Sequence, residues 1–305
     1  MAQDSVTVDG HRVELSHPGK VLFPDDGLTK GDLVDYYRRI AEVALPHWRD
    51  RPLTMHRFPD GIGEEGFFQK NMPDHFPGWI DRAEMPKEGG RVTHVVANNA
   101  ATLVYLANQG CVTAHLGLSR TDRPDRPDQM IFDLDPSDDD FAKVQQAASW
   151  LREVLDELEL PSFVKTTGSR GLHVLVPLDR SADFDTMREV ARGLAEHLAA
   201  RHPDALTVAQ RKNARGTRVF IDYLRNAYGQ TAVAPYSVRA RPGAPVATPV
   251  TWDAALASGL SPRQYTIKNI FRRLGQTDDP WAGIGGSAVS LASVGDRLNA
   301  LAEKA

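Results

Sequence analysis

Asp133-Leu134-Asp135 follows a short apolar run, Met130-Ile131-Phe132, and a third carboxylate, Asp222, follows a second such run, Val219-Phe220-Ile221. Residues alternate faces along a strand, so Asp133 and Asp135 project to the same side about 7 Å apart. Carboxylates held that close repel one another unless cations sit between them. Mg²⁺ and Mn²⁺ prefer oxygen ligands and commonly leave coordination positions for substrate phosphates. Three carboxylates on two neighbouring strands therefore suit a two-metal phosphoryl-transfer centre. An isolated D-x-D also has a structural use, because acidic residues cap helices. The surrounding residues weigh against that plainer use.

Thr166-Thr167-Gly168-Ser169-Arg170-Gly171-Leu172-His173 combines hydroxyls, glycines, an arginine and a histidine. Hydroxyls and exposed backbone amides can hold phosphate oxygens, and Arg170 adds charge. The same residues would also make an ordinary polar hairpin with a core histidine. His115, after Val112-Thr113-Ala114, carries the same two readings. Net charge is −4, which argues against a wholly basic nucleic-acid coat, so distribution matters more than the sum. From Ala205 to Gly243 the positive residues are Arg211, Lys212, Arg215, Arg218, Arg225, Arg239 and Arg241, against the single acid Asp222. A lone acid in so basic a segment suits a metal ligand beside a polyphosphate, although a solvated basic loop would read similarly.

The elements that must position these groups follow from periodicity. Thr29 can cap a helix running to about Leu45, with Asp32 near its third position and Leu33, Tyr36, Tyr37, Ile40 and Ala44 on one face. Further helices are expected at about Asn99–Gln109, Asp139–Leu158 and Phe184–Ala200. Strands are expected at Leu53–Phe58, Val112–His115, Met130–Leu134, Phe163–Thr166, Leu172–Pro177 and Thr217–Ile221. Glycines at Gly168 and Gly171 mark a hairpin. Arg241–Pro249 reads as a Pro/Ala-rich connector and Gly283–Gly286 as a flexible joint before a final helix. The order around the acids is that of an α+β or mixed sheet with largely antiparallel pairing.

The 305 residues, 41% hydrophobic and 25% charged, can bury a substantial core, and length alone suggests about two domains. No apolar run approaches the roughly 20 residues needed to span a membrane. The start, Met1-Ala2-Gln3-Asp4-Ser5, lacks the basic and apolar parts of a secretory signal, and the single cysteine, Cys111, excludes an internal disulfide framework. The chain is expected to be cytoplasmic.

Several blocks carry a family resemblance. Lys165-Thr166-Thr167-Gly168-Ser169-Arg170-Gly171-Leu172-His173-Val174 resembles a signature of the polymerase domains of bacterial DNA ligase D and their stand-alone relatives. These belong to the archaeo-eukaryotic primase superfamily. Phe132-Asp133-Leu134-Asp135-Pro136, Phe220-Ile221-Asp222-Tyr223-Leu224-Arg225-Asn226 and Ala234-Pro235-Tyr236-Ser237-Val238-Arg239 resemble three further blocks in the same order. The likeness runs from about Ser16 to Tyr265.

The resemblance implies a primase-polymerase fold, α+β, with an RRM-like central antiparallel sheet flanked by helices. It implies one catalytic module over residues 1–305: an N-terminal subregion to about residue 110, a catalytic core over about 111–275, and a C-terminal tail and helix over 276–305. Asp133, Asp135 and Asp222 are implied as catalytic ligands of two divalent cations, Mn²⁺ or Mg²⁺. His115, Thr167, Ser169, Arg170, His173, Lys212 and Arg239 are the implied nucleotide-binding set. Ser16-His17-Pro18-Gly19-Lys20 and Thr29-Lys30 resemble the elements by which relatives grip a DNA 5′-phosphate, so Lys20 and Lys30 inherit that role. Gly66-Phe67-Phe68-Gln69-Lys70 resembles a template-stacking element, with Phe68 as the stacking residue and Phe67 expected in the core. His56 stands where some relatives have lysine.

The implied activity is template-directed extension or filling of DNA ends and gaps from ribo- or deoxyribonucleoside triphosphates, in non-homologous end joining or gap repair at the nucleoid. A Ku-type end-binding protein and an ATP-dependent ligase are the expected partners. A two-metal nuclease or phosphodiesterase is the alternative enzyme, because three acids and histidines can activate water. A noncatalytic DNA-end-binding module, resting on Lys20, Lys30 and Phe68, is the alternative without chemistry.

Overall fold

The protein is described by a computed structural model covering residues 5–302, so Met1–Asp4, the greater part of the stretch read for a leader, and residues 303–305 of the expected tail lie outside it. Two compact units divide the chain. The first takes the residues up to Gly117 together with Thr231–Thr248 and Tyr265–Asp278. The second takes Leu118–Gln230, Pro249–Gln264 and the residues from Asp279 onward.

In the first unit, helix Lys30–Trp48 begins at the expected cap. Thr29 Oγ1 accepts from the Asp32 amide (3.2 Å), and the Asp32 carboxylate accepts from the Thr29 amide (2.7 Å). The helix runs a turn or so past the expected end, through Pro46 to Trp48. Leu33, Ile40, Ala44 and Trp48 form a buried stripe at helical spacing and join the core with Leu53 and Met55 of a neighbouring strand. That strand, Pro52–Arg57, lies in an antiparallel sheet ordered Thr231–Val233, Cys111–Gly117, Pro52–Arg57, Gly90–Val96, Arg82–Lys87, with Phe67–Gln69 added alongside Pro52–Arg57. Cys111 is buried in this unit, and burial pushes its thiol up to about 12, which leaves it unreactive.

The second unit is built as strand Gln129–Asp135, helix Phe141–Glu157, strand Phe163–Thr166, strand Leu172–Pro177, helix Phe184–Arg201 and strand Val219–Asp222. These strands lie side by side as Val219–Asp222, Gln129–Asp135, Leu172–Pro177, Phe163–Thr166, all antiparallel. This is the β-α-β-β-α-β arrangement of RRM-like sheets. Short strands at the two edges extend it: Pro249–Val250 pairs antiparallel with Phe163–Thr166, and Leu206–Thr207 pairs parallel with Val219–Asp222. Asp140 and Asp183 cap the two helices by accepting from the Ala142 and Thr186 amides. Both helices pack on the sheet.

Two expectations need correction. Arg241–Pro249 is no loose connector: Ala244, Val246 and Ala247 are completely buried and Val246 bridges to Val238. Alternating small apolar residues there give the chain something to pack, which composition alone concealed. Gly283–Gly286 is not a free joint either. A 3₁₀ turn covers Ile284–Ser287, and Val289 beyond it exchanges backbone hydrogen bonds with Pro177 and Asp179 (3.1 and 3.0 Å).

Candidate active site

Strand register brings the acids together. Asp133 lies directly opposite Asp222 on one side and opposite His173 on the other. Directly paired residues in an antiparallel sheet share a face, so Asp222, Asp133 and His173 form one row across three strands. Asp135 sits two residues further along the same face, while Phe132 and Leu134 point the other way and are completely buried. The register therefore places Lys165 on this face too, opposite His173, and only 1% of it is exposed.

The charges in this row are under strain. Burial, then the charge of Asp133, raises the Asp135 carboxyl to about 6, while Arg170 and Arg225 pull it down. Burial also raises Asp222, against the pull of Arg225, whose Nε lies 3.3 Å from its carboxylate, and of the Leu224 amide, which donates at 2.9 Å. His173 Nε2 lies 3.3 Å from Asp133. Among the described residues no group of three His, Cys, Asp or Glu side chains closes into a cation-holding geometry. The chemistry of the set nevertheless fits hard divalent cations: it offers only carboxylate oxygens at the acid positions, and their ionised forms are destabilised by one another.

Beside the acids, Thr167–Gly171 forms the expected hairpin turn, with Gly168 at φ +65°. Thr167 Oγ1 donates to the Gly171 carbonyl (3.0 Å) and accepts from the amides of Ser169 and Gly171 (3.2 Å each). Thr167 thus holds the turn through its backbone, a structural role that its hydroxyl chemistry alone did not reveal. Ser169 is half-buried, Arg170 is exposed, and Lys212 is exposed on a short turn, Lys212–Ala214. Neighbouring Arg215 and Arg218 are spent on local carbonyls of Ala209, Gln210, Arg215 and Ala214.

The remaining candidates lie in the first unit. His56 pairs with Phe68 across adjacent strands, and their rings stack at 4.0 Å and 11°. Phe68 is 62% exposed and also meets His115 edge-on at 5.4 Å. Burial and then the charge of Arg239 lower His56 to about 4, so the ring beneath Phe68 is neutral at physiological pH. Phe67, expected in the core, is exposed as well, with the Arg57 guanidinium over its ring. Phe67 lies opposite Arg57 in the strand register, so a guanidinium rather than an apolar side chain meets its ring. Elsewhere in this unit Lys30 donates to Ser16 Oγ (2.9 Å) and its amide donates to the Lys20 carbonyl (2.8 Å), while Lys20 pairs with Asp60 (2.5 Å). Burial and the charge of Lys20 lower the pKa of Lys30. Neither Ser16 nor Asp60 was identifiable as a lysine partner from sequence, because both contacts are long-range.

Residues 29–281 match the family described as LigD, primase-polymerase domain. The chain belongs to that family. It is 33% identical over 271 residues to the multifunctional non-homologous end joining protein LigD of Mycolicibacterium smegmatis, covering 88% of this chain and 35% of that protein. Against the Pseudomonas aeruginosa protein of the same description it is 34% identical over 279 residues, 90% of this chain and 33% of the other. The chain thus spans about a third of the length of these relatives. Among solved structures, the polymerase domain from Mycobacterium tuberculosis ligase D in complex with DNA superposes with a TM-score of 0.84 at 30% identity, covering 91% of this chain and 99% of that one.

For this LigD primase-polymerase domain the fold expectation holds, including the RRM-like sheet that carries the acids. Its second unit gathers Asp133, Asp135, Asp222, His173, Thr167, Ser169 and Arg170, with Lys212 on a turn of the same unit. Its first unit holds Lys20, Lys30, Phe68, His115 and Arg239. Arg225, beside Asp222, was visible as part of a matching block, but only the fold shows it meeting the carboxylate. No described helix is long and apolar enough to cross a membrane.

Proposed function

We propose that this chain is a template-directed nucleotidyltransferase that extends DNA ends or fills gaps, working in the cytoplasm on the nucleoid during non-homologous end joining. The observation that carries the reading is the row of Asp222, Asp133 and His173 in direct register, with Asp135 beside it and the Thr167–Gly171 turn adjoining. Polymerase domains of this family depend on metal ions, and Asp133, Asp135 and Asp222 would hold two of them, Mn²⁺ or Mg²⁺. With ions held there, the site would have a means to acidify a primer 3′-hydroxyl and to offset charge on the phosphates. Ser169, Arg170 and Lys212 bind the nucleotide's phosphates, His173 orients them beside the acids, and Thr167 keeps the turn in shape. His115 and Arg239 keep the nucleotide-binding role that the resemblance implies. Positioning and electrostatics supply most of the rate, with no general base among these residues.

Lys20 and Lys30 bind the 5′-phosphate of a DNA break. A phosphate beside them would offset the burial and the Lys20 charge that lower Lys30, while loosening Lys20 from Asp60. Phe68 on His56 offers a two-ring platform for a template base. Phe68→Ala should weaken binding of gapped DNA by about 1–3 kcal/mol, read by fluorescence anisotropy, while leaving nucleotide affinity unchanged. Equal DNA affinity would remove the template role from Phe68. A Ku-type protein and an ATP-dependent ligase complete the pathway as partners.

Primer extension on gapped DNA with a 5′-phosphate, with Mn²⁺ and ribo- or deoxyribonucleotides, tests the whole reading against Asp133→Ala/Asp135→Ala. Template-directed extension by the unsubstituted protein and none by the double variant is expected. DNA cleavage without nucleotide would replace the reading with the nuclease alternative. DNA binding with no reaction under any nucleotide or metal would leave an end-binding module.

A further inference from the structure

A cavity of about 350 Å³ opens in the second unit beside the acidic strand, between Pro136, the turn at Ser169 and Arg170, and the segment Leu260–Arg263. Its size falls at the small end of the range for ligand sites, about 300–1,000 Å³. Arg170 and Arg263 both line it, against one carboxylate, Asp139. Arg263 Nε donates to the Ser169 carbonyl (2.8 Å), which fixes the guanidinium against the turn and leaves its two terminal nitrogens for another partner. Among the described residues neither Arg170 nor Arg263 forms an ion pair. Arg170 is also near enough to Asp135 to lower its pKa, so the cavity adjoins the acids. Two arginines at one small cavity, one of them braced by a backbone carbonyl, present donors matched to phosphate oxygens.

We infer that Arg263 is a further phosphate-binding residue, and that with Arg170 it makes this cavity the seat of the incoming nucleotide's triphosphate tail. The inference rests on the polymerase reading and extends it to a segment outside every matching block. Arg263 has two functions at this seat. Its terminal nitrogens bind the distal phosphates, and its Nε bond to the Ser169 carbonyl holds the turn in place beside them. A phosphate of a DNA strand has the same chemistry, but a cavity closed on one side by the turn suits a terminal, mobile polyphosphate better than a continuous backbone.

The test is calorimetric titration of inorganic tripolyphosphate, with Mg²⁺, into the full chain and its Arg263→Gln and Arg263→Lys variants. A single-stranded oligonucleotide is titrated in parallel, and thermal melting checks that each variant is folded. Arg263 is exposed, so both should be. Arg263→Gln should weaken tripolyphosphate at least fivefold and leave the oligonucleotide within twofold. Arg263→Lys should recover part of the loss, because charge is restored. Unchanged tripolyphosphate affinity in Arg263→Gln would overturn the inference. So would a loss confined to the oligonucleotide, which would assign the cavity to DNA. Arg263→Lys as weak as Arg263→Gln would overturn the direct contact and leave only support of the turn. Failure of the polymerase reading looks different, since the unsubstituted chain would then bind tripolyphosphate yet extend no primer.

Discussion

Gly171→Ala is expected to reduce nucleotide incorporation by at least a hundredfold and to lower the melting temperature by several degrees. A Cβ on Gly171 would lie 2.1 Å from the carbonyl oxygen of Leu134 and 3.1 Å from its carbon, and both are backbone atoms of the acidic strand. No rotamer change relieves such a contact. The turn must move away from the strand, or the strand away from its neighbours. Overpacking of this kind costs about 1–3 kcal/mol, and in a domain of this size each kcal/mol lowers the melting temperature by roughly 2–4 °C. The catalytic loss should exceed the loss of stability. The displaced turn carries Ser169 and Arg170, and Gly171 itself is bonded both ways to Thr167. Misplacing phosphate-binding groups by an ångström is enough for a hundredfold effect. Primer extension and a thermal melt on the same preparation check the result. An alanine variant with full activity and an unchanged melt would mean that the turn does not need to approach the acids so closely.

Asp135→Asn should abolish extension while stabilising the metal-free protein at neutral pH. Burial and Asp133 raise the Asp135 carboxyl from 3.8 to about 6. The folded protein therefore holds this proton more tightly than the unfolded chain does. The associated stability is fully present below about pH 4 and is lost as pH rises through about 6. Above that range the ionised carboxylate destabilises the fold, on the order of 1–3 kcal/mol. Removing the charge should raise the melting temperature in chelator at pH 7.5 and flatten its decline between pH 5 and 7. Asp222, also raised, contributes in the same direction. Divalent cations should reverse the effect. Mn²⁺ should stabilise the unsubstituted protein more at pH 7.5 than at pH 5, where protons compete, and should stabilise Asp135→Asn much less. Melting curves across pH, with and without Mn²⁺, check this. An asparagine variant that melts like the parent in chelator and responds fully to Mn²⁺ would remove Asp135 from the metal-binding set.

Much of the second unit was legible because its chemistry and its periodicity coincide. Phe163–Thr166 and Leu172–Pro177 are strands with the expected bounds, and the helices between the strands begin and end within about two residues of the patterns that mark them. Apolar alternation and carboxylate caps are local signals, and local signals survive into the fold. Phe67 and Arg241–Pro249 depart from their sequence patterns for the opposite reason. Whether an apolar residue is covered depends on a layer supplied from elsewhere in the chain, which strand alternation and composition do not encode.

Residue types and spacing alone were enough to single out three carboxylates, a glycine-bounded turn and a basic segment, and to place Asp133 and Asp135 on one face. They could not set the register that puts Asp222 and His173 on either side of Asp133, because a slip of one residue would send a strand's side chains to the opposite face. Nor could they show Arg263 reaching back 94 residues to brace the turn at Ser169. Contacts across such separations are made by packing, where the energy of one side chain depends on atoms that are neighbours only after folding.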